Sequence, residues 1–209
     1  MRTIHLVTHP EATHHLQRVV GGWHDSALTP AGLRSAAAIA RILRERIPDG
    51  AHVEVITSDL LRTRQTAEAI GEAFSLKPIL EPRLREKSFG EAEGGPQAWL
   101  DERYVPPPAT GDRLEYDTGV PGAETYGTVA RRVYQAVDEL SARPAEHQIV
   151  VTHGYAATHV IAAWIRMPVE SVGHVIFHMS SGSITTLHED DHYRSRRLVT
   201  LGETAHLRG

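Results

Sequence analysis

Short apolar runs closed by polar residues alternate along this chain with segments of helical periodicity, and few folds accommodate that alternation. Residues 3 to 7 form one such run, ending in Thr8-His9-Pro10, where Pro10 disfavours helical geometry for His9. Thr29-Pro30 supplies a cap and a first helical residue, followed by Ala36, Ile39, Ala40, Leu43 and Ile47 up to the stop at Pro48-Asp49-Gly50. Val53 to Thr57 reads as a second strand, with Ser58 or Asp59 capping a helix through Ala67, Ile70 and Phe74. Ile79-Leu80 is a brief third strand. Val129, Val133, Val137 and Leu140 mark a helix starting near Glu124, Ile149-Val150-Val151-Thr152 another buried strand, and Tyr155 to about Ile165 another helix. Strands are expected near 174–178, 183–188 and 196–201. The pattern predicts an α/β fold, a three-layer α/β/α sandwich with a mostly parallel central sheet, in which ligands bind at the carboxyl ends of the strands. At 209 residues a single domain over 1–209 is expected, and the aperiodic stretch at about 95–121 reads as an excursion serving as lid or substrate loop.

Composition narrows the chemistry. The absence of cysteine excludes disulfides, thiolate metal sites and a cysteine nucleophile. A formal charge of −4 argues against nucleic acid or an acidic membrane as partner. No apolar run reaches the roughly 20 residues that span a bilayer, and the first ten residues hold no secretory apolar region, so a cytoplasmic location is expected. Histidine is abundant, at 14 residues. On the strand scheme His9, Ser58 to Arg62, Glu86 and His153 all follow strands, and their loops meet on one edge of the sheet. Two imidazoles, a guanidinium and a carboxylic acid suit phosphoryl transfer: one neutral imidazole attacks phosphorus, the cationic groups neutralise the equatorial oxygens, and the acid protonates the leaving oxygen.

These residues resemble the histidine phosphatase superfamily, also called phosphoglycerate mutase-like. Leu6-Val7-Thr8-His9-Pro10-Glu11-Ala12 is similar to its strand followed by Arg-His-Gly. Asp25-Ser26-Ala27-Leu28-Thr29-Pro30-Ala31-Gly32 resembles its Asp-x-x-Leu-Thr-x-x-Gly helix entry. Ser58-Asp59-Leu60-Leu61-Arg62-Thr63-Arg64-Gln65-Thr66-Ala67, Leu84-Arg85-Glu86-Lys87-Ser88-Phe89-Gly90 and Val151-Thr152-His153-Gly154 resemble later motifs, in order. The resemblance implies a phosphomonoesterase that hydrolyses a small phosphorylated metabolite through phosphohistidine, without cofactor or metal. It implies His9 as nucleophile, Glu86 as acid, and His153 and Arg62 as catalytic partners. Thr8, His15, Arg62 and the Gly154 amide are the candidate phosphate ligands, with Trp23 and His14 contacting the rest of the substrate. A small phosphorylated substrate is the expected partner, and a homodimer the candidate assembly.

Thr8 stands where the family pattern has arginine, Pro10 where it has glycine, His15 where asparagine is common and Thr158 where arginine is frequent. The Pro10 carbonyl can still hold a ring N–H and fix the attacking tautomer. The other changes exchange fixed charge for titratable histidine, with His14, His15 and His159 as candidates to replace it. Protonated histidine would then bind phosphate, turnover would peak on the acidic side of neutrality, and arginine restored at position 8 would tighten phosphate binding. Three other readings stand beside this one: a noncatalytic phosphate-ligand binding protein, a mutase-type phosphotransferase, and a metallohydrolase built on His9, His14, His15 and His153.

Overall fold

The computed structural model describes residues 1–208. In chain order the main elements are β1 (Arg2–Thr8), α1 (Thr13–Gln17), α2 (Pro30–Arg46), β2 (Val53–Thr57), α3 (Leu61–Phe74), β3 (Ile79–Leu80), α4 (Gln97–Arg103), α5 (Tyr126–Ala142), β4 (His147–Thr152), α6 (Gly154–Trp164), β5 (Ile184–Glu189) and β6 (Arg196–Glu203). The six strands form one sheet in the order β3-β2-β4-β1-β5-β6. The four strands from β3 to β1 are parallel, while β5 and β6 close one side antiparallel.

The apolar runs of β1 and β4 are continuous because both faces of the sheet are covered. Ile149 and Val151 pack with Val7 and Val55 against Ile39, Leu43 and Ile47 of α2 and Ala67 and Ile70 of α3. Val150 points the other way, joining Ile4, Leu6 and Ile56 against Val129, Val133 and Val137 of α5 and Val160, Ile161 and Trp164 of α6. This is the expected three-layer α/β/α arrangement. Burial of so many branched side chains on both faces, at roughly 25 cal/mol per Å², is the main force holding the layers.

Register sets the site. Thr8 lies beside Thr152 and Thr57 beside Val151, so β1, β2 and β4 end level with one another. Two backbone bonds past the ladder, His9 N–H to the Thr152 carbonyl at 3.0 Å and Ser58 N–H to the Val151 carbonyl at 3.0 Å, carry that alignment into the loops.

Thr29 caps α2 as expected, its hydroxyl accepting from the Gly32 amide at 3.0 Å. Gly32 is required by close approach: a Cβ there would stand 2.1 Å from the Glu11 carbonyl. The expected cap of α3 by Ser58 or Asp59 is replaced by a distant one. Leu60 is the N-cap, the Asp25 carboxylate accepts from the Leu61 amide, and Asp59 is instead held by Arg85. No strand forms at 174–178: residues 169–174 make a 3₁₀ turn, and the Phe177 amide donates to the Thr158 hydroxyl at 3.2 Å rather than to a neighbouring strand. The 95–121 excursion contains α4 and packs Leu100 and Val120 against Val20 and Ala92 in a small core of its own. Gly90 anchors its base with φ +53°, where a Cβ would collide with the Pro121 carbonyl at 2.1 Å. No helix among the described residues is long and apolar enough to cross a membrane.

Candidate active site

A cavity of about 1110 Å³ opens at the carboxyl ends of β1, β2 and β4. His9, His14, His15, Arg62, Glu86 and Gly154 share its wall. The His9 ring is oriented by its neighbours on both sides. Its Nδ1–H donates to the Pro10 carbonyl at 2.7 Å, leaving Nε2 as the unprotonated nitrogen, which accepts from Arg62 Nε–H at 3.2 Å. Proline at position 10 therefore keeps the one group the ring needs. Arg62 is buried and fixed by two further bonds, to the Gly22 carbonyl at 2.7 Å and the His24 carbonyl at 2.8 Å.

His153 lies with its ring centroid 5.1 Å from that of His9. Its Nε2 meets the Ser58 hydroxyl at 2.9 Å, and its buried Nδ1 has no partner among the described residues. Glu86 is half-buried, directly before the N-terminus of α6 in space. Its carboxylate accepts from the Tyr155 and Ala156 amides of that helix, both at 3.1 Å, and from the Lys87 amide at 2.9 Å. The neighbouring cations are engaged elsewhere, Arg83 with Glu81 and Glu139 and Arg85 with Asp59, so Glu86 is not part of a surface ion-pair cluster. The Gly154 amide, first in α6, has no acceptor among the described residues and borders the cavity, where a helix N-terminus favours an anion.

Arg132 of α5 braces the Glu86 loop. Its guanidinium donates to the Arg83 and Arg85 carbonyls at 2.7 Å and the Glu86 carbonyl at 2.8 Å, while pairing with Glu124 at 2.8 Å. Trp23 acts on the same loop from outside: its indole N–H donates to the Glu86 carbonyl at 2.7 Å and its ring underlies Arg85. Trp23 thus falls outside the cavity wall, and the expectation that it contacts substrate gives way to one that it positions Glu86. Thr8 does border the cavity, but its hydroxyl is engaged, donating to the Ser180 carbonyl at 2.7 Å and accepting from the Ser183 amide at 3.2 Å. His14 borders the cavity with Nδ1 on the Ser26 hydroxyl at 2.6 Å.

The expectation that protonated histidines replace a fixed charge is not met in the free site. Burial, then the Arg62 cation, holds His9 well below the ordinary imidazole range, and the same two causes act on His153. His14 is pushed down to about 3 by burial and then by His15. His15 is lowered by burial and Arg62, against a smaller opposing pull from Glu11. His159 is buried among apolar residues of α6 and pushed down to about 4 by burial. All five are neutral near pH 7. The fixed charge comes from Arg62, which burial lowers only to about 10, from Arg18 at the rim, and from Lys87 in the wall. Arg18 and Lys87 carry no motif signal. Nor do Tyr126 and Tyr155, which with Tyr104 line the cavity. Among the described residues no three histidine, aspartate or glutamate side chains are grouped to hold a metal ion.

The sequence matches the model of the Histidine phosphatase superfamily (branch 1) over residues 4–202. The chain belongs to this superfamily. It is 29% identical over 212 residues to a probable phosphoglycerate mutase GpmB of Yersinia pestis (strain Pestoides F), covering 99% of this chain and 95% of that protein. A mycobacterial glucosyl-3-phosphoglycerate phosphatase, solved in complex with VO3, superposes with a TM-score of 0.78 at 25% identity, covering 98% of this chain and all of that one. Bacillus stearothermophilus YhfR superposes with a TM-score of 0.79 at 22% identity, over 99% and 100% of the two chains, a likeness of fold.

Proposed function

We propose that this chain is a phosphomonoesterase acting through phosphohistidine at His9. The observation that carries the reading is the His9 ring itself: one nitrogen is tied to a backbone carbonyl, the other is unprotonated, and burial keeps the ring neutral. A phosphoryl group entering between His9 and Arg62 takes over the Arg62 Nε–H as donor to one of its oxygens. His9 Nε2 forms the N–P bond as the ester P–O bond breaks, and Glu86 gives its proton to the leaving oxygen. Water then attacks phosphorus with Glu86 as base, phosphate departs, and His9 is restored. The Gly154 amide is a donor available to the equatorial oxygens, while His153, buried and outside the cavity wall, packs against the His9 ring from behind.

Thr8 takes the place of the superfamily's motif arginine in this reading, so ground-state phosphate binding rests on Arg62 and Arg18. The 95–121 excursion shapes substrate choice, because its α4 supplies the Gln97 to Asp101 edge of the cavity. Relatives include a phosphatase and a probable mutase. The cavity exceeds the size of a phosphoglycerate and leaves space for water beside the phosphohistidine, which favours hydrolysis. The experiment is rapid acid-free quench of enzyme mixed with radiolabelled aryl phosphate in excess chelator. Base-stable, acid-labile label on His9 is expected; full turnover by His9→Ala overturns the mechanism, and binding without turnover returns the noncatalytic reading.

A further inference from the structure

Two buried cations of the cavity wall, Arg62 and Lys87, lack an anionic partner within ion-pair distance among the described residues, but Arg62 donates to His9 and two carbonyls whereas Lys87 is left almost without acceptors. Only 2% of the residue is exposed, and its Nζ has a single acceptor, the carbonyl of adjacent Ser88 at 3.5 Å. Otherwise the ammonium rests against rings, 4.4 Å from the centroid of Phe89 and 6.0 Å from that of Tyr104. Three carboxylates lie near enough to act on it, and each is engaged elsewhere. Glu86 holds three backbone amides, Glu93 accepts from the Ser88 hydroxyl and the Phe89 amide, and Glu124 is paired with Arg132. Burial pushes the amine down to about 8, which leaves it cationic at neutral pH. An ammonium carries three donors, and a buried charge without a partner is costly, so this arrangement is incomplete without an anion.

The surroundings say what carries that anion. A phosphoryl group fills only part of the 1110 Å³ cavity, whose wall also includes Leu100, Tyr104, Tyr126, Tyr155 and Met179. Such a surface takes a flat or apolar body of ring size. We propose that Lys87 is a specificity residue that binds a second anionic group, a carboxylate, on the ring-sized leaving alcohol of the phosphate ester. The inference rests on the phosphomonoesterase reading and adds to it the class of ester. A purely structural Lys87, held by its contact with Phe89, would support all esters alike.

Two isosteric esters separate these roles: 4-carboxybenzyl phosphate and its neutral amide, 4-carbamoylbenzyl phosphate. The wild-type protein is expected to favour the carboxylate at least tenfold in kcat/KM, mainly through KM, and Lys87→Met to bring the ratio within threefold of unity. Lys87→Gln serves the same comparison should the methionine variant not fold. A wild-type ratio within threefold of unity, or a ratio that survives the substitution, overturns the proposal. The corresponding benzylphosphonates are not hydrolysed and are compared by calorimetry. If neither ester turns over but the carboxylated phosphonate still binds tenfold tighter in a Lys87-dependent way, the phosphatase reading falls and the anion site stands. Equal affinities with no turnover end both.

Discussion

At the phosphate end of the cavity every candidate group is carried on backbone that a strand or helix terminates: His9 and His153 one residue past β1 and β4, Arg62 in the first turn of α3, Gly154 opening α6. His9 and Arg62 are then fixed by backbone carbonyls, Glu86 by helix amides and His153 by the Ser58 hydroxyl. The tyrosine cluster at the cavity is built from side chains that meet across long loops. Tyr104 and Tyr116 come from the excursion and Tyr126 from α5, joined by hydroxyl contacts of 2.9 Å. The first kind of site loses function when one atom moves, because reacting geometry is demanding; the second tolerates change and alters which molecule fits.

Substitutions grade that contrast. His9→Ala is expected to lower kcat by at least roughly 10⁴-fold, measured on any ester the protein hydrolyses, since the nucleophile and its bond to phosphorus are removed. Arg62→Met is expected to cost roughly 10²- to 10³-fold in kcat/KM through loss of transition-state charge neutralisation. Should Arg62→Met retain more than a third of wild-type activity, the fixed charge lies elsewhere and the rigid-end description fails. Arg132→Met removes the brace from the Glu86 loop and leaves Glu124 in a mostly buried position without its cation. A loss of about 3 kcal/mol in unfolding free energy is expected by denaturant titration, together with a lower kcat.

The neutral histidines make a pH prediction whose sign is fixed. His5 and His159 are each pushed down to about 4 by burial, so between pH 6.5 and 5.5 the unfolded chain binds protons that the folded one does not. Stability therefore rises with pH in this window, and acidification by that one unit is expected to cost about 1 kcal/mol for each of the two. In the same range kcat/KM is not expected to fall through His9 protonation, because its lowered pKa places that limb further into acid. An acid limb centred at 6.5 in the free enzyme would show that His9 is not shielded. The smallest effect belongs to the tyrosine cluster: Tyr116→Phe breaks one hydroxyl contact, with a stability change of less than about 1 kcal/mol and less than threefold in kcat on a small aryl phosphate.

Much of the rigid end is legible in the sequence because it follows from local rules. Ile149-Val150-Val151 must be buried on both faces, so His153 must stand at a sheet edge, and the same holds for His9 after Leu6-Val7. The apolar residues Val175-Ile176-Phe177 obey the same composition without forming a strand, since Thr158 supplies the Phe177 amide with an acceptor and no ladder partner is needed. Helices α1 and α4, of five and seven residues, are too short to show a period. The protonation state of His14 and His15 depends on Arg62, far away in sequence, and on depth of burial. Lys87 lies in sequence among Arg83, Arg85 and Glu86 with nothing to distinguish it from a surface charge; only the fold turns its side chain inward.

Position 8 has a consequence for how substitutions in this chain combine. The Thr8 hydroxyl spans the Ser180 carbonyl and the Ser183 amide, so residue 8 and the 180–183 turn form one unit. Arginine placed there alone would remove the hydroxyl and leave both backbone groups without that partner. Substitutions at position 8 and in the turn are therefore expected to be non-additive. The hydroxyl tie makes the end of β1 and the turn ahead of β5 a single unit, so that a change in either is felt by the other.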